Sequence, residues 1–484
     1  MERTGDLAPA GTTARGLGTT RGGEQLTVPI GSLARREPVV VAPDATVAEA
    51  ARSMRDGDTS AALVSDEPPG IVTHRDLSTR VLAAGRALDT PVRVVMSRPL
   101  ESFDHGTPLF EALRRMLELG VHHLPVTRNG KVVAILRDSD LMRHQARGPL
   151  PLLDRIEDLH DLDDAPTDYA DEVALIADGL FAGGLGVVQV GRVLAALSGA
   201  LVGRFLVLAE RELGPAPCRY AWMALGSEGR MEQVLLSDQD NALVYEERGD
   251  GADRYFHALG ERVVGALIRA GFPRCAGGYM ATNWCLPLAE WRSLFAGWIN
   301  LPEPQSLLEA QVFFDFRRVH GELSLESLDR VLLAGGGSRA FLHGLARACL
   351  RFRSPLRSFG RVRGEDGVVD LKAGGIAAIV MLARLFALAG GRTPQSTLER
   401  LRAATEAGTL SRAGGEILGE SFRFLTWLRL REQLRSVAAD EEVGNDVRLK
   451  DLSPLERRRL AEALRAVRKQ QEATALRYPG AAIA

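Results

Sequence analysis

The feature that most limits how this chain can fold is an internal duplication. Glu49, Ala50 and Met54 recur in the same order as Glu111, Ala112 and Met116, and Asp76-Leu77 recurs as Asp140-Leu141. Each copy reads alike. A Pro-bearing extended start (38–42; 99–103) leads into an amphipathic helix (47–55; 108–119). Two short strands follow (61–65 and 70–73; 123–127 and 132–136), and a closing helix starts at Asp76 or Asp140. A β-α-β-β-α unit of roughly 60 residues that occurs twice is expected to pack copy against copy, because one copy alone buries little core.

The chain has 484 residues, too many for one core, so two to four domains are expected. Sixty basic residues against 62 acidic ones give a net charge of −2. That balance disfavours nucleic acid or a membrane surface as the main partner. Cys218, Cys275, Cys285 and Cys349 form no CxxC and no zinc-finger spacing, so reduced thiols in a cytoplasmic protein are expected. Residues 1–28 lack an apolar run and read as a disordered tail rather than a signal peptide. Two apolar stretches, 183–208 and 374–390, carry Arg192, Arg204 and Arg384, and read as buried helices rather than membrane spans. Only four basic residues are lysines (Lys131, Lys372, Lys450 and Lys469). A lysine is the unusual choice in this chain.

The strings GIVTHRDL (70–77), HHLPV (122–126) and AILRDSDL (134–141) make residues 29–146 resemble the tandem CBS domain. The resemblance implies two copies packed as a pseudo-dimer around clefts for an adenosine nucleotide (AMP, ADP or ATP), and a homodimer formed through them. It makes Asp76 and Asp140 candidates for the ribose hydroxyls and Thr73 for phosphate. A carboxylate accepts two hydrogen bonds from a vicinal diol, which suits that role. Capping of the following helices is the alternative for both aspartates. Arg137 stands where the first copy has Thr73, which leaves occupation of the second cleft open. His122 and His123 read as core-edge residues. Residues 147–215 read as a helical connector, with Val190, Val193, Leu194, Leu197 and Leu201 on one apolar stripe.

The segment YAWMALGSEGRMEQVLLSDQDNALVY (220–245) carries the chemistry. Residues 220–225 read as a strand ending in Gly226-Ser227, and residues 238–244 as the next strand. Asp238 and Asp240, two apart on that strand, are then expected on one face. Paired carboxylates suit a two-metal site with ions about 3.5–4 Å apart. Gly226 lets the backbone approach a phosphate, and the Ser227 hydroxyl and N–H can hold one.

Gly-Ser followed by DxD on an adjacent strand resembles the polymerase-β nucleotidyltransferase superfamily. The fuller string LGSEGRMEQ…SDQDNAL resembles the nucleotidyltransferases related to PII-protein uridylyltransferases, many of which carry CBS domains upstream. FFDFRRVHGE (313–322), DLKAGG (370–375), RLFAL (384–388) and FRFLTWLRLREQ (422–433) extend the match. The expected fold is α/β plus all-α: a tandem CBS repeat, a polymerase-β-type mixed sheet (216–299) and a helical C-terminal substrate-binding domain (300–484).

The resemblance implies transfer of a nucleoside monophosphate from an NTP, with Mg²⁺ or Mn²⁺ held by Asp238 and Asp240. Gly226 and Ser227 would hold phosphates, and Arg230 and Lys372 would offset charge. Lys372 lies in a K-x-G string beside Gly374-Gly375, read as flexible. The acceptor is a PII-like protein or a small molecule. The superfamily's third carboxylate is missing from the expected strand (275–285), so Glu290 or Asp315 is the candidate, with pairing to Arg317 or Arg318 as the alternative for Asp315. No His-Asp doublet marks a hydrolytic domain, so removing the nucleotide would need another protein. The rival reading is a catalytically silent scaffold that senses adenine nucleotides.

Overall fold

The computed structural model describes residues 29–33, 37–57, 59–137, 148–235, 238–249, 251–356, 362, 364 and 367–479. The expected tail, Asp140 and the closing helix of the second repeat lie outside the described residues.

In the first repeat, β1 (Val40–Val41) runs parallel to β2 (Ala61–Val64), which is antiparallel to β3 (Gly70–Thr73). The second repeat has the same order in β4 (Phe103–Asp104), β5 (His123–Arg128) and β6 (Lys131–Arg137). A helix joins the first two strands of each, Val47–Asp56 and Leu109–Leu119. Thr46 and Glu49 start the first helix as a reciprocal capping box. Val47, Ala50 and Met54 bury one stripe of it; Leu109, Ala112, Leu113, Met116 and Leu117 do so in the second. The Ser60 hydroxyl meets His123 Nε2 at 2.7 Å, tying the two copies together.

The copies are packed differently. The first has a core of its own, built from Val41, Val47, Met54, Val64, Val72 and Val95. The second shares one core with three helices that follow, Pro149–Glu157, Tyr169–Ala182 and Val187–Leu213. Val187–Leu213 and the 372–389 stretch are long and apolar enough to cross a membrane, and most of each is buried inside the protein.

A four-stranded sheet follows in the order β10-β7-β8-β9: Arg317–Gly321, Tyr220–Ala224, Asn241–Tyr245 and Cys285–Pro287. β7 is antiparallel to both β8 and β10, and β8 is parallel to β9. The edge strand β10 lies beyond the boundary expected at residue 299. Every residue of β7 and β8 is buried, because both faces are covered. Tyr220, Trp222, Leu243 and Tyr245 face the connector core with Phe256. Ala221, Met223, Ala242 and Val244 face an aromatic cluster containing Trp291, Phe295 and Phe313. The alternation follows from the two-residue period of a strand. The remaining described chain is helical apart from the β11–β12 pair (Val368–Asp370 and Asp446–Arg448).

One expectation about the sheet is corrected. Asp238 and Asp240 are not on β8; the ladder begins at Asn241, paired with Ala224. Just past Ala224 the partner strand turns into the helical turn Gly226–Gly229, so only one further bond, Leu225 N–H to Asp240 C=O at 2.9 Å, precedes the ladder. The two carboxylates therefore enter from a loop and differ in exposure: Asp238 is exposed and Asp240 half-buried.

The turn itself is tightly seated. A Cβ on Gly229 would fall 1.9 Å from the backbone oxygen of Asp315 and 2.9 Å from that of Ala224. Gly229→Ala is therefore expected to destabilise the protein by about 2–3 kcal/mol, because backbone rather than a side chain would have to move. Urea unfolding of the two proteins checks this, and equal midpoints would contradict it.

Candidate nucleotidyl-transfer site

The site is built on the turn between β7 and β8. Gly226 has φ +55°, and a Cβ there would lie 2.9 Å from Asp240 Oδ2. Only glycine supplies both that backbone and that gap. Asp240, Gly226 and Ser227 line a cavity of about 250 Å³ together with Arg230, Lys372 and Arg429. Burial pushes the Asp240 carboxyl up to about 6, against the Cys275 thiol and the Lys372 ammonium, while Asp238 adds to the rise. Asp238 does not line the cavity, yet its charge acts on Asp240, Lys372 and Arg429.

Three cations reach the cavity from the C-terminal half, Lys372, Arg384 and Arg429, and of these Arg384 is held by Asp315. Lys372 opens a π-helical turn, Lys372–Ile376. Loss of water around its ammonium, then Arg429, pull it below the usual lysine range, with Asp240 and Asp238 opposing. Gly374 and Gly375 are not a flexible pair. Added Cβ atoms would meet Pro355 at 3.0 Å and Leu425 at 2.7 Å, so these glycines allow close packing. Arg429 lies on the helix Arg412–Ala438, and its Nε has no hydrogen-bond partner. Burial, with Asp370 opposing most, and then Arg230 bring it down to about 10, and Asp238 also opposes. Two neighbouring cations short of partners form an anion site. The sequence hid Arg429 inside an apolar helical stripe; a basic residue in such a stripe was the only signal.

Arg230 is firmly anchored. Its Nε donates to Glu232 at 2.8 Å and its Nη1 to Asp315. Glu232 in turn accepts from the backbone N–H and hydroxyl of Thr397.

Asp315 is corrected as a metal candidate. It is fully buried, and its two oxygens accept from three guanidinium groups, those of Arg230, Arg384 and Arg400. Burial alone would raise its carboxyl, but Arg384, Arg400 and Arg230 hold it far below the usual range. With both oxygens taken, it is not available to a cation. Arg317 and Arg318, the expected partners, are not the ones used. Glu290 accepts from Arg248 at 2.8 Å and does not line the cavity. Among the described residues no three His, Cys, Asp or Glu side chains group to hold a metal.

A carboxylate that sequence reasoning passed over is Glu228, within the GSEGR turn. Its Oε1 is buried without a hydrogen-bond partner, beside a small cavity shared with Tyr169 and Ser198. Burial raises its carboxyl to about 7, against Arg317 and with Asp240 adding. Its only sequence signal was an acid set between two glycines of a tight turn.

In the first repeat, Thr73 and Asp76 meet each other. Thr73 N–H and Oγ1 donate to Asp76 Oδ2 at 2.9 and 2.7 Å, and Asp76 N–H donates back to Thr73 Oγ1 at 3.2 Å. Ser97 Oγ and Arg80 approach the other oxygen at 3.3 Å. The pair is a capping box, with Thr73 rather than Asp76 as the N-cap. Arg137 ends β6, opposite His123.

Comparison with known proteins gives three family matches. Residues 30–83 and 92–147 match "CBS domain", 171–305 match "Putative nucleotidyltransferase DUF294", and 339–478 match "Putative nucleotidyltransferase substrate binding domain". The chain is 34% identical over 121 residues to an uncharacterized protein of Methanopyrus kandleri, covering 24% of this chain and 62% of that protein. It is 33% identical over 107 residues to the CBS domain-containing protein YhcV of Bacillus subtilis, covering 22% of this chain and 76% of that one. A solved structure of a conserved protein from Pyrococcus horikoshii is 32% identical, with a TM-score of 0.24 over 25% of this chain and 95% of that one.

Glu228 yields a pH signature. Between the ordinary carboxylate pKa and about 7, the folded chain keeps a proton on Glu228 that the unfolded chain has released. Stability therefore falls as pH rises through that window and levels off above it. Glu228→Gln cannot ionise, so it should gain on wild type as pH rises from 5 to 8, by up to about 3 kcal/mol. Denaturant midpoints across that range test it; a constant gap between the two proteins would show that Glu228 does not titrate this way.

Proposed function

The chain belongs to the family that joins CBS domains to the nucleotidyltransferase DUF294 and its substrate-binding domain, and we propose on that premise that it transfers a nucleoside monophosphate from an NTP to an acceptor under adenine-nucleotide control. The observation that carries this reading is the cavity where Asp240 lies against the Gly226-Ser227 turn with Lys372 and Arg429 at hand. Such a cavity offers one carboxylate for a cation and two cations for a polyphosphate. The open backbone at Gly226 permits close approach of a phosphate.

A divalent cation fits this donor set, because Asp240 is a half-buried carboxylate with its charge incompletely balanced. Mg²⁺ or Mn²⁺ would be held by Asp240 with Asp238 and would supply neutralisation of phosphate charge. Lys372 and Arg429 hold the triphosphate in place. Arg230, locked to Glu232 and Asp315, presents a fixed positive wall that needs no reorganisation when charge develops. Positioning and charge neutralisation carry the rate, as is general for phosphoryl chemistry. The acceptor is a PII-like protein or a small molecule.

The silent-scaffold reading draws on one observation: Asp315, the candidate third carboxylate, is spent on arginines. Substitution separates the two. Asp238→Asn or Asp240→Asn keeps side-chain shape and removes the charge. Each is expected to lower transfer of a labelled NMP, in the presence of Mg²⁺ or Mn²⁺ and a cell lysate, at least a hundredfold, or about 3 kcal/mol. Wild-type protein that labels nothing would favour the scaffold.

Control from the CBS pair has a physical route. Arg75, next to Asp76, donates to Glu157 at 2.9 Å, and His122 Nε2 lies 3.3 Å from the same carboxylate. Glu157 ends the first connector helix, so a ligand that rearranges the Thr73–Asp76 turn acts directly on the connector. The homodimer through the CBS pair would cover Leu82, Leu88 and Val94, which are exposed in the first repeat. Asp76→Ala is expected to shift the response of transfer to AMP, ADP and ATP by five- to 150-fold in effective concentration, the usual range of coupling. An unchanged response in Asp76→Ala and in the Asp76→Ala/Asp140→Ala pair would leave the repeat as a dimerisation platform.

A further inference from the structure

A second and larger cavity, about 520 Å³, adjoins the transfer site. Arg384 lines both, so this residue is part of the wall between them. Four more arginines line this second cavity: Arg317, Arg318, Arg392 and Arg400. The acids facing it are Glu326, which is exposed, and Asp329, half-buried. Asp315, behind Arg384 and Arg400, balances part of the positive charge.

The hydrogen-bond inventory of these guanidinium groups does not close. Arg384 is 4% exposed, and its Nη2 is spent on Asp315 and on the Gln311 carbonyl at 2.9 Å. Its Nε and Nη1 have no partner among the described residues. Arg317 Nε is also buried without a partner, and its Nη2 makes only a 3.5 Å contact to the Glu228 carbonyl. Arg400 is anchored through Nε on the Pro394 carbonyl and Nη1 on Asp315. Arg392 stands exposed. Buried donors are almost always satisfied in folded proteins. Three buried nitrogens without partners, carrying four N–H bonds on two arginines that line one roomy cavity, call for an acceptor that brings several oxygens at once.

We propose that this cavity is a binding site for a small phosphate-bearing anion, distinct from the transfer site and held by Arg317, Arg384 and Arg392. Planar guanidinium forks match phosphate oxygens two at a time, which a lysine cannot do. The cavity has room for more than one phosphate group. The site stands on its own geometry and does not require the transferase reading. Since Arg384 also carries Asp315, which carries Arg230, an anion that draws on Arg384 bears on the floor of the neighbouring transfer site.

Inorganic pyrophosphate, titrated calorimetrically into the full chain without divalent metal, tests the proposal. Lys372→Gln serves as the background, because it removes a cation that belongs to the other cavity. Lys372→Gln protein is expected to keep one pyrophosphate site. Adding Arg317→Gln and Arg392→Gln should weaken that site at least tenfold. The proposal is overturned if Lys372→Gln alone abolishes binding, or if the triple variant binds as tightly as its background. Should Arg317→Gln fail to fold, Arg392→Glu in the same background changes only an exposed residue. It should weaken binding at least threefold, and an unchanged affinity would again overturn the site.

Discussion

Asp315 with its three arginines is the interaction on which the rest of the architecture leans. Its carboxylate ties Arg230 from the turn after β7, Arg384 from the helix Ala377–Ala389 and Arg400 from the helix Thr397–Glu406. Asp315 itself lies just ahead of β10, so four separate stretches of chain converge on one buried group. Ions buried like this cost several kcal/mol each in lost hydration, and they persist only when charge and hydrogen bonds are matched. The geometry is strict for that reason. It fixes the helical C-terminal half against the sheet, and Gln395 adds a bond of 2.6 Å to the Gly229 carbonyl at the same junction.

A candidate site made from two halves follows from this junction. The turn at Gly226 and the carboxylate of Asp240 come from the sheet, whereas Lys372 and Arg429 come from helices far along the chain. Neither half alone presents both the Asp240 carboxylate and the two cations that lack carboxylate partners among the described residues. The site's electrostatics are thus a property of the packed molecule: each cation is weakened by burial and by its like-charged neighbours, and would gain from an anion placed between them.

What could be read from the sequence was what depends on short range. The duplicated strand–helix–strand pattern, the apolar stripe of the connector and the paired strands around GSEGR all show in local periodicity, and the structure contains them. The misreadings share a cause. The polar run 238–241 leads without a break into the apolar run 242–245, so 238–244 reads as one strand, but the ladder ends where the partner strand turns away at Gly226. Asp315 looked like a spare acid because its partners, Arg230, Arg384 and Arg400, are remote in sequence. Arg429 and Glu228 were passed over because their meaning depends on what surrounds them once the chain has packed. Gly374 and Gly375 suggested freedom where the need was for thinness, with Pro355 and Leu425 pressing from either side.

The unequal packing of the two repeats changes where this protein divides. By sequence kinship, the CBS repeat is a matched pair that ends near residue 147. By burial, the seam runs between the copies. The first keeps its apolar side chains to itself, while Leu109, Leu113, Leu117 and Leu136 of the second are sunk in the same core as Leu153, Leu194 and Phe205. A cut at the kinship boundary would leave an oily scar on both fragments, whereas the first copy could be lifted away nearly whole. The two halves of the duplication have thus come to serve as unlike parts: the second copy is footing for the connector, and the first is a block set upon it.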